Sequence, residues 1–281
     1  REATLLRYKC SSCSVVCRSV FFLGYIVLFG ACANISAEGR RDTADQLALG
    51  AGLTYVEIQT GRFKLAGYRG SQAPGVVTVY VEGDGFSYVT QNRISKDPTP
   101  INPMGLKLAL VDGGENVVYL ARPCQYVDLR KEAACSNLYW SIRRFSEEVI
   151  LAYDEALDGM KRVAGATAFH LVGYSGGGAI VVLLAARRTD ILSVRTVAGY
   201  LDHVGLNQLV GVAPLRGSLD PTKIAGALKE IPQIHYVGDD DWVIPPWVAS
   251  KFVSAVGAPS CAHAVVLNGV GHEKGWVTQW K

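Results

Sequence analysis

Hydrophobic and β-branched residues recur along the chain in short runs, which are separated by longer segments with helical spacing. Two of these runs, 54–60 and 62–69, are joined through Gly61 and predict a β-hairpin. Strands that alternate with helices favour a mostly parallel sheet with helices on both faces, here with an N-terminal antiparallel hairpin. The other runs that predict strands are 76–83, 116–122, 168–174, 194–200, 231–238 and 263–270.

Two segments between the strands have the pattern of helices. The segment that follows the 168–174 run, GGGAIVVLLAARRTD, is mostly apolar and predicts a buried helix. In the segment 141–165 apolar residues return at steps of three or four, which predicts an amphipathic helix. A chain of 281 residues with this pattern suits one large domain, which we expect to occupy 53–281. The apolar face of the amphipathic helix is expected to comprise Ile142, Phe145, Val149, Ala152, Ala156 and Met160.

The first 52 residues differ in composition from the rest of the chain. Residues 20–31 form an apolar run after a basic stretch, and twelve residues are too few to cross a bilayer as a helix. We therefore expect a secretory signal peptide at 1–31 and a polar N-terminal segment at 32–52. The run ends in FGAC, which resembles the lipobox of bacterial lipoproteins. This resemblance implies that lipid on Cys32 anchors an exported protein to the bacterial envelope, facing the periplasm; a cleaved signal with an incidental cysteine is the alternative.

Charge is balanced over the body of the chain. Of 28 basic and 25 acidic residues, four basic and one acidic lie in the first 31, so the remaining 250 residues carry 24 of each. A nucleic-acid-binding protein needs a basic face or stripe. We therefore expect no nucleic-acid partner, and contact with a membrane only through the N-terminal anchor.

Three of the seven cysteines lie beyond Cys32. Cys124 and Cys135 are eleven residues apart in a segment of loop-like composition. In an oxidising periplasm they are expected to pair, which would close a loop that contributes up to about 3 kcal/mol. Cys261 is interpreted as a small buried hydrophobic residue. The cysteine spacing fits no zinc site, and no metal is expected.

The turn after the 168–174 run carries a motif with specific chemistry. Gly173-Tyr174-Ser175-Gly176-Gly177 is a GxSxG sequence between a strand and a helix, which is the context of a nucleophile elbow. The serine of an elbow occupies a sharp, strained turn, so the residues two positions away on either side must be small. A dinucleotide-binding loop is the rival interpretation. It fails because Ser175 replaces the second glycine and no acidic residue is cleanly placed about 20 residues later.

A serine nucleophile needs a base, and the base needs an acid that orients it. His272 is the best base among the five histidines, because it follows the last predicted strand in a glycine-bounded loop. His170 and His235 lie inside strands, where they are expected to be packed. The turn after the next-to-last strand offers three consecutive aspartates, 239–241, of which at most one is expected to meet the imidazole. Asp202, after the preceding strand, is the alternative acid.

An oxyanion hole requires backbone N–H groups aimed at the developing negative charge. One expected donor is the amide of Gly176, directly after the nucleophile. The second is expected from the turn after the third strand, where Asp84 is the preferred donor through its N–H, with Gly85 as the alternative. The proline-bearing loop 94–103 follows this turn. It either borders the substrate pocket or forms a rigid surface connection.

These three turns together resemble those of the α/β-hydrolase superfamily. The segments VYVEGDGFSY, DPTPINP, YLARPCQY and GDDDWVIPP are similar to those of uncharacterised bacterial lipoproteins with that fold, and the likeness runs from about residue 54 to 276. The acid is the fourth residue of the superfamily pattern GxxDxVVP, which corresponds to Asp241. Many members have His-Gly at the oxyanion turn, where this chain has Glu82-Gly83.

The resemblance implies an α/β-hydrolase fold and acyl-ester hydrolysis by Ser175, His272 and Asp241, with no metal or organic cofactor. The sequence therefore predicts a periplasmic, lipid-anchored serine hydrolase of the carboxylesterase type that acts on a small acyl substrate. Two alternatives stay open. One is a binding or structural envelope protein that keeps the fold, and the other is a peptidase or thioesterase that uses the same triad.

Overall fold

The computed structural model describes residues 36–71 and 73–280, so the predicted signal peptide and Cys32 lie outside the described residues. The strands are β1 (Thr54–Gln59), β2 (Lys64–Arg69), β3 (Gly75–Val81), β4 (Tyr88–Thr90), β5 (Arg93–Ile94), β6 (Val117–Leu120), β7 (Ala166–Tyr174), β8 (Ile191–Val197), β9 (Gln233–Gly238) and β10 (Ala262–Leu267). The helices are α1 (Ala37–Gly50), α2 (Met104–Val111), α3 (Glu147–Ala164), α4 (Gly176–Ala185), α5 (His203–Leu209), α6 (Pro221–Ile224), α7 (Trp247–Val256) and α8 (Trp276–Gln279), with short 3₁₀ helices at Asn137–Trp140 and Ala225–Leu228.

Eight strands form one mixed sheet in the order β1-β2-β6-β3-β7-β8-β9-β10. The predicted hairpin is present, because β1 pairs antiparallel with β2, and β2 pairs antiparallel with β6. All other neighbours in this sheet are parallel. Each of the eight predicted strands is found, with ends within three residues of the predicted ones. β4 and β5 form a separate two-stranded sheet that is too short to show in the hydrophobic pattern.

Side chains that alternate along β3 enter two separate cores, one on each face of the sheet. Val77, Val79 and Val81 pack with residues of α3, α4 and α7. Tyr80 packs on the opposite face with residues of α1, α2 and α8. The sheet is therefore covered by helices on both faces, as predicted. No helix among the described residues has the length and apolar character needed to cross a membrane.

The long helix α3 begins later than the hydrophobic pattern predicts. It starts at Glu147 rather than near residue 141, so Ile142 and Phe145 precede it. Ser146 has an extended backbone (φ −69°, ψ 163°), and two acidic residues fill the first turn. Both features are typical of a helix start. Phe145 nevertheless enters the core from the preceding turn.

Helix α1 lies within the segment 32–52, for which the sequence predicts only polar character. Its residues Ala44 and Ala48 are buried against the sheet. Arg40 is buried as well, and its Nη2 lies 3.1 Å from Oδ1 of Asp97. The packed part of the chain therefore begins upstream of residue 53.

Cys124 and Cys135 are bonded to each other, as predicted, with a Cα–Cα distance of 5.6 Å. The loop that they close follows β6, and Cys124 is fully buried. The prediction that Cys261 is buried was wrong, because its side chain is exposed. Its backbone is held in place by hydrogen bonds to Lys229 and Gln233, so the position is fixed without burial of the thiol.

Candidate active site

Ser175 occupies the turn between β7 and α4, at the carboxyl end of the strand. Its φ of 49° and ψ of −118° are rare for a residue with a side chain, so the strain expected of a nucleophile elbow is present. Backbone hydrogen bonds fix this conformation. The amide of Ser175 donates to the carbonyl of Val197, and its own carbonyl accepts from the amides of Gly178 and Tyr200, each at 2.9 Å.

Close packing around this turn explains the glycines on either side of Ser175. A Cβ atom on Gly173 would lie 2.3 Å from the carbonyl oxygen of Gly177. A Cβ atom on Gly177 would lie 2.3 Å from the carbonyl oxygen of Val81, at the end of β3. Both obstacles are backbone atoms, so no side-chain rotation could relieve the contact. Gly173 therefore lets the serine turn close on itself, and Gly177 lets that turn lie directly against the end of β3.

Two hydrogen bonds bring the predicted nucleophile, base and acid together. Oγ of Ser175 lies 3.1 Å from Nε2 of His272, and Nδ1 of His272 lies 2.9 Å from Oδ2 of Asp241. Asp241 is buried, and its Oδ1 accepts the amides of Val243 at 2.9 Å and Ile244 at 2.8 Å. Its own turn therefore fixes the carboxylate and leaves one oxygen for the imidazole. This arrangement can move a proton from the hydroxyl to the imidazole while the carboxylate stabilises the resulting charge.

The other candidate acids do not contact the imidazole. Asp239 and Asp240 are exposed. Asp202 is buried, but its carboxylate forms an ion pair with Nζ of Lys251 at 2.5 Å. Of the four aspartates considered, the structure brings only Asp241 to the histidine.

Two side chains hold the loop that carries His272. The hydroxyl of Tyr174 donates to the carbonyl oxygen of His272 at 3.0 Å, and Nε1 of Trp276 donates to the same oxygen at 2.9 Å. The Tyr174 ring also packs on the imidazole, with 5.4 Å between ring centroids. Trp276 is fully buried, and no motif in the sequence indicates this role.

The predicted oxyanion turn lies beside the nucleophile. Asp84 and Gly85 line the same cavity as Ser175. The amide of Gly83 donates to Oε1 of its neighbour Glu82 at 2.8 Å, so this amide is already used. In the part of the chain that the structure describes, the amides of Asp84 and Gly176 have no hydrogen-bond acceptor. Both are therefore available to an oxyanion.

Glu82 occupies the position where many α/β-hydrolases have histidine. Its side chain is buried. Its Oε1 accepts the amides of Gly83 at 2.8 Å and Gly105 at 3.1 Å, and Oε2 accepts the hydroxyl of Tyr119 at 3.0 Å. Burial raises the pKa of Glu82 above its ordinary value, although these donors oppose the shift. The side chain thus ties the oxyanion turn to the first turn of α2.

The carboxylate of Asp84 lies between two guanidinium groups that no motif in the sequence indicates. Nη1 of Arg122 is 2.8 Å from its Oδ1, and Nη1 of Arg144 donates to its Oδ2. Burial alone would raise the pKa of Asp84, but the charges of Arg144 and Arg122 outweigh burial and lower it below its ordinary value. One negative and two positive charges therefore share the space next to the oxyanion turn.

A cavity of about 420 Å³ opens onto Ser175 and His272. The loop 94–103 borders it, which agrees with the first of the two interpretations of that loop. Among residues 36–71 and 73–280, no group of three or more His, Cys, Asp or Glu side chains could hold a metal ion. The other lining residues are Glu82, Asp84, Gly85, Phe86, Pro100, Ile101, Asn102, Val243 and Glu273.

No family model matches the chain, and no curated protein matches its sequence. Solved structures do match. The chain is similar to a membrane phospholipase A described as a bacterial virulence factor, with a TM-score of 0.58 and 15% identity over 91% of this chain and 94% of that one. It is also similar to an α/β serine hydrolase homologue from Coxiella burnetii (TM-score 0.53, 16% identity, 81% and 91% covered). An esterase domain from a Rhodothermus marinus protein matches with a TM-score of 0.52 and 14% identity (81% and 92% covered). The chain has the α/β-hydrolase fold, as predicted.

We expect Gly173→Ala to destabilise the protein, because the new Cβ atom would lie 2.3 Å from a backbone oxygen. The free energy of unfolding in urea should fall by about 1–3 kcal/mol, as for other overpacked sites. Gly226→Ala is the matched control, since nothing lies within 4 Å of its added Cβ. Its effect should stay within about 0.5 kcal/mol. Equal stability of the two variants would contradict this account of the elbow.

Proposed function

We propose that the protein is a serine hydrolase that cleaves carboxylic esters through an acyl-enzyme. The hydrogen-bonded sequence from Ser175 through His272 to Asp241 carries the proposal. The three residues follow three different parallel strands, where the carboxyl ends of α/β sheets place their working side chains. Structural likeness to proteins described as a phospholipase and an esterase domain supports esters as the substrate class.

In the proposed acylation, Oγ of Ser175 attacks the ester carbonyl carbon while Nε2 of His272 takes the hydroxyl proton. The amides of Gly176 and Asp84 donate hydrogen bonds to the oxyanion of the tetrahedral intermediate. Collapse of the intermediate breaks the bond to the alcohol, which leaves with the proton from His272. Asp241 keeps the imidazole in the correct tautomer and stabilises its charged form.

Deacylation repeats these steps with water. Water attacks the acyl carbonyl carbon and gives a proton to His272, and the same two amides hold the second oxyanion. Collapse returns the proton to Ser175 and releases the carboxylic acid. One water is consumed for each ester, and every side chain recovers its starting state.

Apolar side chains and the acidic Glu273 share the lining of the cavity, which favours a substrate that has an apolar group and no negative charge. Phe86, Pro100, Ile101 and Val243 present apolar surface next to the nucleophile. Such side chains bind acyl or alkyl groups by removing them from water. We therefore propose small neutral esters as substrates. A thioester or a peptide could use the same three side chains, so a substrate panel distinguishes these classes.

We expect a fluorophosphonate probe to label the wild-type protein at one site and to leave Ser175→Ala unlabelled, because the probe reacts with an activated serine. The wild type should also hydrolyse short-chain p-nitrophenyl esters, and the variant should not. Mass spectrometry of the labelled peptide checks the site. Absence of labelling and turnover in the wild type would instead favour a binding protein that keeps the fold.

We expect Asp241→Asn to lower kcat by about 10⁴-fold, because an amide orients the imidazole in the wrong tautomer. Asp240→Asn is the matched control. It alters an exposed neighbour and should leave kcat unchanged. Ester hydrolysis by the two variants, checked for folding by circular dichroism, provides the measurement. Wild-type kcat in Asp241→Asn, with a large loss in Asp202→Asn, would assign the acid to Asp202 instead.

We also propose that the protein is exported and held in the bacterial envelope by lipid on Cys32. This proposal rests on the sequence, namely the apolar run 20–31 and the lipobox resemblance that ends at Cys32. Lipid anchors add stable membrane affinity through burial of acyl chains.

In a bacterial host that expresses the full chain, Cys32→Ser should abolish incorporation of labelled palmitate, because the modified thiol is lost. The variant protein should also leave the membrane fraction. Cys261→Ser, which changes an exposed cysteine elsewhere, should keep both properties. Unchanged palmitate labelling of Cys32→Ser would show that the anchor is not at this residue.

A further inference from the structure

The segment that follows β6 places two buried side chains against the oxyanion turn. Nη1 of Arg122 binds the carboxylate of Asp84 at 2.8 Å. Nε2 of Gln125 donates to the carbonyl oxygen of Gly83 at 3.1 Å. Gln125 is 1% exposed and Arg122 is 4% exposed. Neither side chain lines the cavity that contains Ser175.

The bond from Gln125 acts on the peptide group that contains the expected oxyanion donor. The carbonyl of Gly83 and the N–H of Asp84 belong to the same planar peptide unit, and in a trans peptide they point in opposite directions. A donor that holds the carbonyl oxygen on one side therefore fixes the direction of the N–H on the other side. The side chain of Asp84, held by Arg122, fixes the next part of the backbone.

Gln125 is itself held by its own segment. Its Oε1 accepts the amide of Arg122 at 3.0 Å, which orients the side-chain amide so that Nε2 faces Gly83. The residues on either side, Cys124 and Tyr126, have left-handed φ values of 73° and 58°. Such values are uncommon for residues with side chains and persist only where surrounding structure maintains them. The disulfide from Cys124 and the bond from the Tyr126 amide to Oγ1 of Thr99 supply that support.

We propose that Gln125 is a positioning residue, which orients the Asp84 N–H toward the oxyanion, and that the Cys124–Cys135 disulfide keeps Gln125 in place. This inference rests on the proposed ester hydrolysis at Ser175. Gln125 touches neither the substrate cavity nor the reacting side chains. Its Nε2 donates to two carbonyl oxygens, that of Gly83 and, at 3.3 Å, that of Pro98 in the loop 94–103, and the bond to Gly83 is the one that orients the Asp84 N–H.

An oxyanion donor contributes mainly in the transition state, so its displacement should lower kcat and leave KM nearly unchanged. Loss of one oxyanion donor typically costs about 10²–10³-fold in kcat. Misdirection of a donor that is still present should cost less. We expect a loss of about 10–100-fold when Gln125 cannot hold the carbonyl of Gly83.

The test compares Gln125→Met, which keeps a similar volume and removes the donor, with Gln91→Met as a control at an exposed position. Each variant is assayed on an ester and on its thionoester, whose C=S sulfur accepts hydrogen bonds weakly and gains little from the oxyanion hole. Gln125→Met should lose about 10–100-fold in kcat on the ester, with KM within about twofold and a clearly smaller loss on the thionoester. Gln91→Met should match the wild type.

Other outcomes separate this inference from the proposed function. Wild-type kcat in folded Gln125→Met, or equal losses on the ester and the thionoester, would overturn the positioning role while ester hydrolysis stands. Absence of ester turnover in the wild type would overturn the proposed function and this inference with it.

A second variant removes the disulfide and keeps Gln125. The double substitution Cys124→Ala and Cys135→Ala should show the same selective loss of kcat on the ester, measured at a temperature where circular dichroism shows the folded state. Full activity of the folded double variant would show that the disulfide does not hold Gln125. If Gln125→Met does not fold, Gln125→Leu replaces it, since it also removes the donor with little change in volume. Wild-type activity in that variant would also overturn the positioning role.

Discussion

Direct backbone contact between the serine turn and the end of β3 is the constraint on which the rest of the site depends. The Val81 carbonyl approaches Gly177 so closely that no Cβ atom fits between them. A Cβ atom on Gly83 would in turn lie 3.2 Å from Cβ of Ser175. Because β3 and β7 are adjacent parallel strands, the turns at their carboxyl ends meet with no side chain between them. Two backbone amides from separate turns can then face one reacting atom beside the nucleophile.

Several charged side chains are buried at this edge of the sheet. Glu82, Arg122 and Asp241 are buried, and the side chain of Asp84 is 16% exposed. A buried charge is unfavourable unless it is paired or hydrogen-bonded. Each carboxylate accepts at least three hydrogen bonds or lies between cations, as the pairing of Asp84 with Arg122 and Arg144 illustrates. Replacement of such pairs by apolar residues is often neutral or stabilising. In this protein these charged side chains therefore serve mainly to hold the backbone in position, because each of them fixes a turn that faces Ser175.

The strands and the reactive side chains could be predicted because their signals are local. The elbow is a five-residue motif, and His272 and Asp241 each follow a predicted strand directly. The supporting side chains gave no such signal, because their partners are distant in the sequence. Gln125 lies 42 residues from Gly83, and Arg144 lies 60 residues from Asp84. The late start of α3 could not be predicted for the same reason, namely that it depends on a contact between residues distant in the sequence. The backbone before it forms a turn in which Arg144 reaches Asp84, and helical periodicity alone does not reveal that contact.

Glu82 shows why a departure from the usual oxyanion sequence is compatible with the proposed chemistry. The proposed hydrolytic steps use the backbone amides of the turn, and the side chain before Gly83 takes no part in them. What the turn requires at this position is a buried group that holds Gly83 and the neighbouring helix. The two carboxylate oxygens of Glu82 meet that need, since they accept the amides of Gly83 and Gly105 and the hydroxyl of Tyr119. At 14–16% identity to the three solved structures compared above, this chain builds the turn with its own buried contacts, so the proposed activity is argued from the geometry at Ser175 rather than from shared residues.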